Sequence, residues 1–245
     1  MNKGKCYFCG KEFAKSTIER HFLCCKQRQE YLQKISESKN LTPKEVFILN
    51  IYPPHLKSLY WLYIMVDANA TLKDLDKFLR DVWVECCGHL SEFKIGDVLY
   101  QENPDPDYLS LCYMTGKSVK TMKEKLKNIL SEKLIFDYEY DFGSTTHLKI
   151  KVIKKDVLPQ EKKIIILARN LPPIYSCSYC DKKASYFCYH CGNFICNECI
   201  KKHSSTHSDY VEEIANGLAN SPRNGVCGYG FQDNSHKEKK YLPTL

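Results

Sequence analysis

Between Cys177 and His207 the chain reads CSYCDKKASYFCYHCGNFICNECIKKHSSTH, six cysteines and three histidines in thirty-one residues. A segment this poor in large aliphatic side chains has too little apolar surface to fold on a core of its own, so cross-links must hold it. The opening MNKGKCYFCG has no apolar stretch of the kind that heads a secretory signal, which sets the expectation of a cytoplasmic protein with reduced thiols. Fourteen cysteines in that setting point to metal before disulfides.

The candidate ligands fall into pairs. Cys177/Cys180, Cys188/Cys191 and Cys196/Cys199 each have the two-residue spacing of a zinc knuckle, and His203/His207 has the three-residue spacing of a helical face. Eight donors make two tetrahedral zinc sites. The pairs can be joined in sequence or interleaved. Only four residues separate Cys191 from Cys196, so adjacent knuckles close on one ion only with strain. Interleaving ties distant segments together instead. His190, between paired cysteines, is expected to be exposed. Four protein ligands per ion leave no open position, and no glutamate sits beside a ligand as in H-E-x-x-H, so the expected zinc is structural.

A second metal pattern opens the chain. In CYFCGKEFAKSTIERHFLCC, Cys6 and Cys9 form a knuckle, and a helix from about Ser16 places His21 and Cys25 one turn apart on one face. Cys24 would point about 100° away on that helix. Phe13 and Ile18 should back the metal. The pattern resembles a Cys-Cys-His-Cys zinc finger, so three zinc ions are expected in all. Such sites would contribute charges of −1, −2 and 0 and bring the formal +7 to about +4. The basic excess is concentrated early: residues 1–39 carry nine Lys/Arg against four Asp/Glu. Lys11, Lys15, Arg20, Lys26 and Arg28 are therefore the candidate nucleic-acid contacts, with a protein-binding knob carrying solvated lysines as the alternative.

Between the two metal segments lies the pattern of a packed α+β domain. EVFILNIY and SLYWLYIMVD read as strands, the second apolar on both faces and so inside a sheet. Thr71 should cap a helix that presents Leu72, Leu75, Phe78, Leu79, Val82 and Trp83. HLSEFKIGDVLY returns to strand, ENPDPD is a loop, and SVKTMKEKLKNILSEK has the spacing of an amphipathic helix, with Val119, Met122, Leu126, Ile129 and Leu130 inward and Lys120, Lys123, Lys125 and Lys127 outward. KLIFDYEYDF and THLKIKVIKK should form a hairpin about Ser144, and KKIIILAR is a further strand. A central mixed sheet with two main helices, flanked by two zinc-stabilised modules, is the expected architecture. The organisation is a finger and connector over 1–39, the central domain over 44–170, the double-zinc segment over 174–210 and a partly irregular tail over 211–245. Mean hydropathy is −0.43, and no apolar run reaches the length of a membrane span.

Enzyme chemistry has one candidate. Asp137, Glu139 and Asp141 alternate along a strand and could hold a divalent cation for phosphodiester hydrolysis. Pairing about Ser144 would instead set Asp137 against Lys151, Glu139 against Lys149 and Asp141 against His147, a solvated face of opposite charges. His89 and Glu92, three apart on a strand, would face opposite ways. Cys86, Cys87 and Cys112 read as core thiols.

Two resemblances sharpen this. FCYHCGNFICNEC, within Cys177–His207, resembles a B-box zinc-binding domain. That implies a cross-braced pairing in which Cys177, Cys180, Cys196 and Cys199 hold one zinc and Cys188, Cys191, His203 and His207 the other. Cys180 stands where many B-boxes have histidine. LYIMVDANATLKDLDKFLRDVW, HLSEFKIGD and LIFDYEYDFGSTTHLKIKVI, within about 46–155, resemble the plasmid pRiA4b ORF-3-like family, also labelled insertion-element passenger, TnpR-like proteins. That implies a compact α+β domain linked by name to mobile elements, with no established activity. After Tyr-Asp-Phe-Gly many members carry an acidic residue and a tryptophan before a histidine; here Ser144, Thr145 and Thr146 precede His147. The late NSPRNGVCGYG carries no assignable chemistry.

The expectation is a non-enzymatic, zinc-binding interaction protein, an accessory factor for nucleic acid or protein in a mobile-element setting. The alternatives are a protein–protein adaptor that binds no nucleic acid, and a metal-dependent hydrolase or nuclease on the Asp137/Glu139/Asp141 face.

Overall fold

The computed structural model describes residues 3–38, 40–206, 214–227, 229 and 235–245. The fold is α+β with a dominant sheet. Among these residues, ten strands form one mixed sheet: β1 (Lys3–Cys6), β2 (Glu12–Ala14), β3 (Lys44–Tyr52), β4 (Leu62–Asp67), β5 (Ser91–Ile95), β6 (Val98–Gln101), β7 (Ser118–Thr121), β8 (Ile135–Tyr140), β9 (Thr146–Leu158) and β10 (Ile164–Asn170). The spatial order is β2-β1-β10-β4-β3-β9-β8-β5-β6-β7. The β6–β7 pair is parallel, and the other neighbours are antiparallel.

Strand periodicity divides the apolar residues between two faces. Phe47, Leu49 and Ile51 of β3, with Leu62, Ile64 and Val66 of β4, join one buried cluster. Val46 and Ile48, with Trp61, Tyr63 and Met65, join a second on the opposite side. The first face is covered by α3 (Leu72–Leu79), which continues through a π-helical turn over Arg80–Val84. Thr71 caps α3 in a reciprocal capping box with Asp74, as its position ahead of the apolar stripe requires.

The second face is covered by the N-terminal segment. Helices α1 (Lys15–Cys24) and α2 (Lys26–Ser38) bury Ile18 and Phe22, then Tyr31, Leu32 and Ile35, in the same cluster as Trp61 and Ile165. β1 pairs with β10 through Gly4↔Asn170 and Cys6↔Ala168. The finger is thus built into the sheet, and the polar stretch after it is a helix lying on the sheet rather than a linker. Its three apolar residues, Tyr31, Leu32 and Ile35, fall on one side of the helix and are buried.

Two local expectations are corrected and one is refined. The helix over 118–131 does not form: Ser118–Thr121 is β7, and only Leu126–Ile129 is helical (α5). The backbone of this stretch is engaged elsewhere, with Met122 N–H donating to the Gln101 carbonyl (3.2 Å), Leu126 N–H to Ala70 (2.9 Å) and Lys127 N–H to Ala68 (2.8 Å). Met122, Leu126 and Leu130 are still buried, so their spacing fits a helix and an extended, anchored segment equally. A helix unread in the sequence, α4 (Pro106–Met114), begins inside the acidic loop, where Asp105 Oδ1 accepts the Asp107 N–H at 2.8 Å. The run at 89–100 is two strands, β5 and β6, turned at Gly96 with φ +59°.

Among the described residues, the C-terminal lobe has a small three-stranded sheet, β12-β11-β13, of β11 (Tyr186–Cys188), β12 (Phe194–Ile195) and β13 (Ile214–Asn216), with helix α6 (Ile200–Thr206). The tail after it packs on the central domain. Arg169 pairs with Glu238 and with the Asn220 carbonyl. Ser221 Oγ donates to the Trp83 carbonyl at 2.5 Å. Beyond the last helix, α7 (Ser235–Lys239), the Tyr241 ring meets Phe78 edge-on at 4.7 Å.

Candidate metal centres

Cys6, Cys9, His21 and Cys25 converge, their donor atoms all within 4.8 Å of one another. Cys9 Sγ is 3.2 Å from His21 Nε2. The knuckle is closed by Gly10 N–H donating to the Cys6 carbonyl at 2.9 Å, with Gly10 at φ +71°. Phe13 stacks on the His21 ring at 3.8 Å and fixes its plane. Cys24 points away, its thiol donating to the Arg20 carbonyl. Burial, with smaller contributions from the neighbouring cysteines, pushes the Cys6 thiol up to about 12, so in the absence of metal it is protonated at neutral pH.

One buried group shows that this pocket fits a thiolate-bound cation. Arg28 is 5% exposed, and its Nε and Nη2 find no hydrogen-bond partner. Burial lowers its affinity for a proton, while Asp156, Cys25 and Cys6 hold the charge in place. A zinc with three thiolates and one imidazole carries −1, which the guanidinium offsets. Buried against this cluster, Arg28 does not reach the surface, which corrects its expected contact with nucleic acid. Lys15 is also engaged, its Nζ on the Lys57 carbonyl and over the Tyr52 ring at 5.3 Å. Lys11, Arg20 and Lys26 remain exposed.

In the C-terminal lobe, Cys177, Cys180, Cys196 and Cys199 form one donor set and Cys188, Cys191 and His203 another, so the pairs are interleaved. His207 lies outside the described residues. Cys180 Sγ stands 3.5 Å from both Cys196 Sγ and Cys199 Sγ, too far for a disulfide and right for shared coordination. Burial raises the Cys177 thiol, but the backbone N–H groups of Tyr179 and Cys196, together with the thiols of Cys196 and Cys180, bring it down to about 7. His203 is oriented from outside: its Nδ1 lies 2.8 Å from Tyr179 Oη, leaving Nε2 toward Cys191. Asn193 Nδ2 donates to both Tyr179 Oη and Cys191 Sγ at 3.2 Å. His190 is exposed.

The acidic face of β8 is not assembled as a cation site. The hairpin register is two residues from the expected one, pairing Asp137 with Lys149 and Glu139 with His147. Asp137 Oδ1 is held by His147 Nε2 at 2.6 Å and Lys149 Nζ at 2.7 Å. Asp141 lies past the strand at φ +64° and takes Arg223 Nη2 on its Oδ2 at 2.5 Å. The three carboxylates thus answer to three different surroundings. Cys112 is buried as expected, but Cys87 is exposed and Cys86 half-buried, so neither is a core thiol.

Residues 46–173 match the family described as Plasmid pRiA4b ORF-3-like protein, and residues 174–208 match the B-box zinc finger. No curated protein matches the chain. Among solved structures it is similar to a protein of unknown function from Methanosarcina mazei Go1, at 22% identity and a TM-score of 0.42 over 50% of this chain and 68% of that one.

Proposed function

Since the chain belongs to the plasmid pRiA4b ORF-3-like protein family, whose name states no activity, we propose that it acts by binding: a zinc-built adaptor whose C-terminal lobe engages a protein partner. The supporting observation is the interleaved donor arrangement at 177–203, continuous with a B-box match. With His207 as fourth donor of the second set, each ion is closed by four protein ligands and has no position for a reacting water. Three zinc ions follow, on Cys6/Cys9/His21/Cys25, Cys177/Cys180/Cys196/Cys199 and Cys188/Cys191/His203/His207, and no catalytic role. Lys183, Lys201 and Lys202 lie exposed on the lobe, while Lys182 is paired with Glu198 at 2.6 Å. The plasmid in the family name supports a mobile-element setting.

A second reading rests on Lys11, Arg20 and Lys26, which stay exposed around the N-terminal centre and suit phosphate contact. Two variants of the zinc-loaded full chain separate the readings, one with Lys183, Lys201 and Lys202 changed to Glu, the other with Lys11, Arg20 and Lys26 changed to Gln. The adaptor reading expects a co-purifying protein lost by the first and kept by the second, with no salt-dependent binding to duplex or single-stranded oligonucleotides. Oligonucleotide binding that weakens steeply with salt and is lost in the second variant would replace it with the nucleic-acid reading.

A further inference from the structure

We propose a fourth metal centre, a structural zinc site formed by Cys86, Cys87, His89 and Cys227, that bolts the C-terminal tail to the central domain. It is independent of the function proposed above. The donor atoms of the four residues all lie within 4.8 Å of one another. His89 Nε2 is 3.3 Å from Cys87 Sγ and 3.2 Å from Cys227 Sγ, and the two sulfurs are 3.5 Å apart. Zinc bonds of about 2.3 Å to sulfur and about 2.0–2.1 Å to nitrogen set tetrahedral donors at roughly this separation. A disulfide would need about 2.05 Å.

The loop that carries three of the donors is held from behind. Arg80 spans it, donating from Nη1 to Glu85 Oε2 at 2.6 Å and from Nη2 to the His89 carbonyl at 2.8 Å. Glu85 Oε1 accepts the Gly88 N–H at 2.5 Å, and Gly88 turns the chain at φ +77° between Cys87 and His89. Tyr140 Oη accepts the His89 N–H at 3.2 Å. The fourth donor arrives from 138 residues away, and the tail is positioned by Arg223, which is wholly buried.

The surroundings match the chemistry of a bound cation. Asp141 Oδ1 lies 3.7 Å from His89 Nδ1, on the ring nitrogen that the cluster does not use; this is longer than a hydrogen bond, but it sets a negative charge beside the imidazole. Arg223 approaches Cys86 Sγ from Nε at 3.4 Å and from Nη2 at 3.3 Å, placing a positive charge against a site whose three thiolates and zinc sum to −1. Thiolate and imidazole donors select zinc over hard cations. Each ligand gives up a proton or is already neutral, and the metal takes the lone pairs, so no oxidant is required. The turn bearing Cys227 also meets the C-terminal lobe: Gly225 sits at φ +83° against the Phe187 ring, and Tyr189 Oη donates to the Tyr229 carbonyl. The ion would therefore join three parts of the chain.

Two measurements on the purified, zinc-loaded full chain test this. Metal analysis should find one zinc fewer per chain in the Cys87→Ser/Cys227→Ser variant than in wild type, and no change in Cys24→Ser. Timed alkylation of the native wild type does not depend on any variant folding. Cys24 is exposed and outside every donor set and should label first, whereas Cys87 and Cys227, equally exposed, should be protected until a chelator is added. Labelling of Cys87 and Cys227 at the Cys24 rate in the loaded protein overturns the site. So does an unchanged zinc content in the double variant, or protection that yields to a reductant but not to a chelator, which would mean a disulfide.

Discussion

Arg223 and Asp141, 82 positions apart, form a buried ion pair in which Nη2 meets Oδ2 at 2.5 Å. The same guanidinium donates from Nη1 to the Ser144 carbonyl at 3.0 Å and to Thr146 Oγ1 at 2.9 Å, so one tail residue holds both ends of the β8–β9 turn. The Arg223 contact, ahead of the opposing effect of burial, keeps the Asp141 carboxyl below the usual carboxylate range.

Removing one partner leaves a buried charge unmatched. Arg223→Met is expected to cost about 3–5 kcal/mol in urea unfolding, and Arg223→Met with Asp141→Asn distinctly less than the sum of the two single changes. Simple additivity would show that the pair is not coupled in solution.

Arg28 is assigned to the N-terminal centre rather than to a ligand surface. Arg28→Gln should weaken zinc retention there about 10–100-fold in competition with a chromophoric chelator, as expected for loss of an outer partner of the ligands. Lys26→Gln, two positions away on the opposite, exposed side of α2, should leave retention unchanged. Equal effects of the two would return Arg28 to the surface.

Metal removal should act unevenly. The C-terminal lobe has little core, and structural zinc supplies on the order of 10–16 kcal/mol of folding-coupled affinity in comparable small modules. Chelation is expected to abolish amide-exchange protection over 177–206 while β3, β4 and β9 stay protected by the two-sided core. Uniform loss across the chain would mean that the lobe and the sheet unfold as one unit.

Gly4 tests whether the finger is truly part of the sheet. A Cβ there would meet the Trp61 ring and the Arg169 carbonyl. Gly4→Ala should therefore destabilise by about 1–3 kcal/mol and speed proteolysis between β1 and α1. A tolerated alanine would indicate a finger that rides free of β10.

The metal ligands were legible because knuckle spacing is local: Cys6/Cys9, Cys177/Cys180, Cys188/Cys191 and Cys196/Cys199 each fit on one tight turn. Strands were legible where period two and two-sided burial coincide, as in β3, β4 and β10, and Thr71 announced its helix as an N-cap just ahead of the apolar stripe. The 118–131 segment misled because Met122, Leu126 and Leu130 keep helical spacing while their backbone bonds run to Gln101, Ala70 and Ala68. Cys86-Cys87-Gly88-His89 offered a dense donor run, but a site needs its last ligand, and nothing local ties it to Cys227.

The sequence by itself determined the elements whose cause is a neighbour in the chain: the knuckles, the cap on α3, the alternating strands and the α+β class. Tertiary structure alone decided what depends on a distant partner. It placed α1 and α2 on the second face of the sheet, shifted the β8–β9 register by two residues, buried Arg28 behind thiols and brought Cys227 to His89. Those choices are fixed by burial and charge compensation, which act through space and leave no periodic mark along the chain.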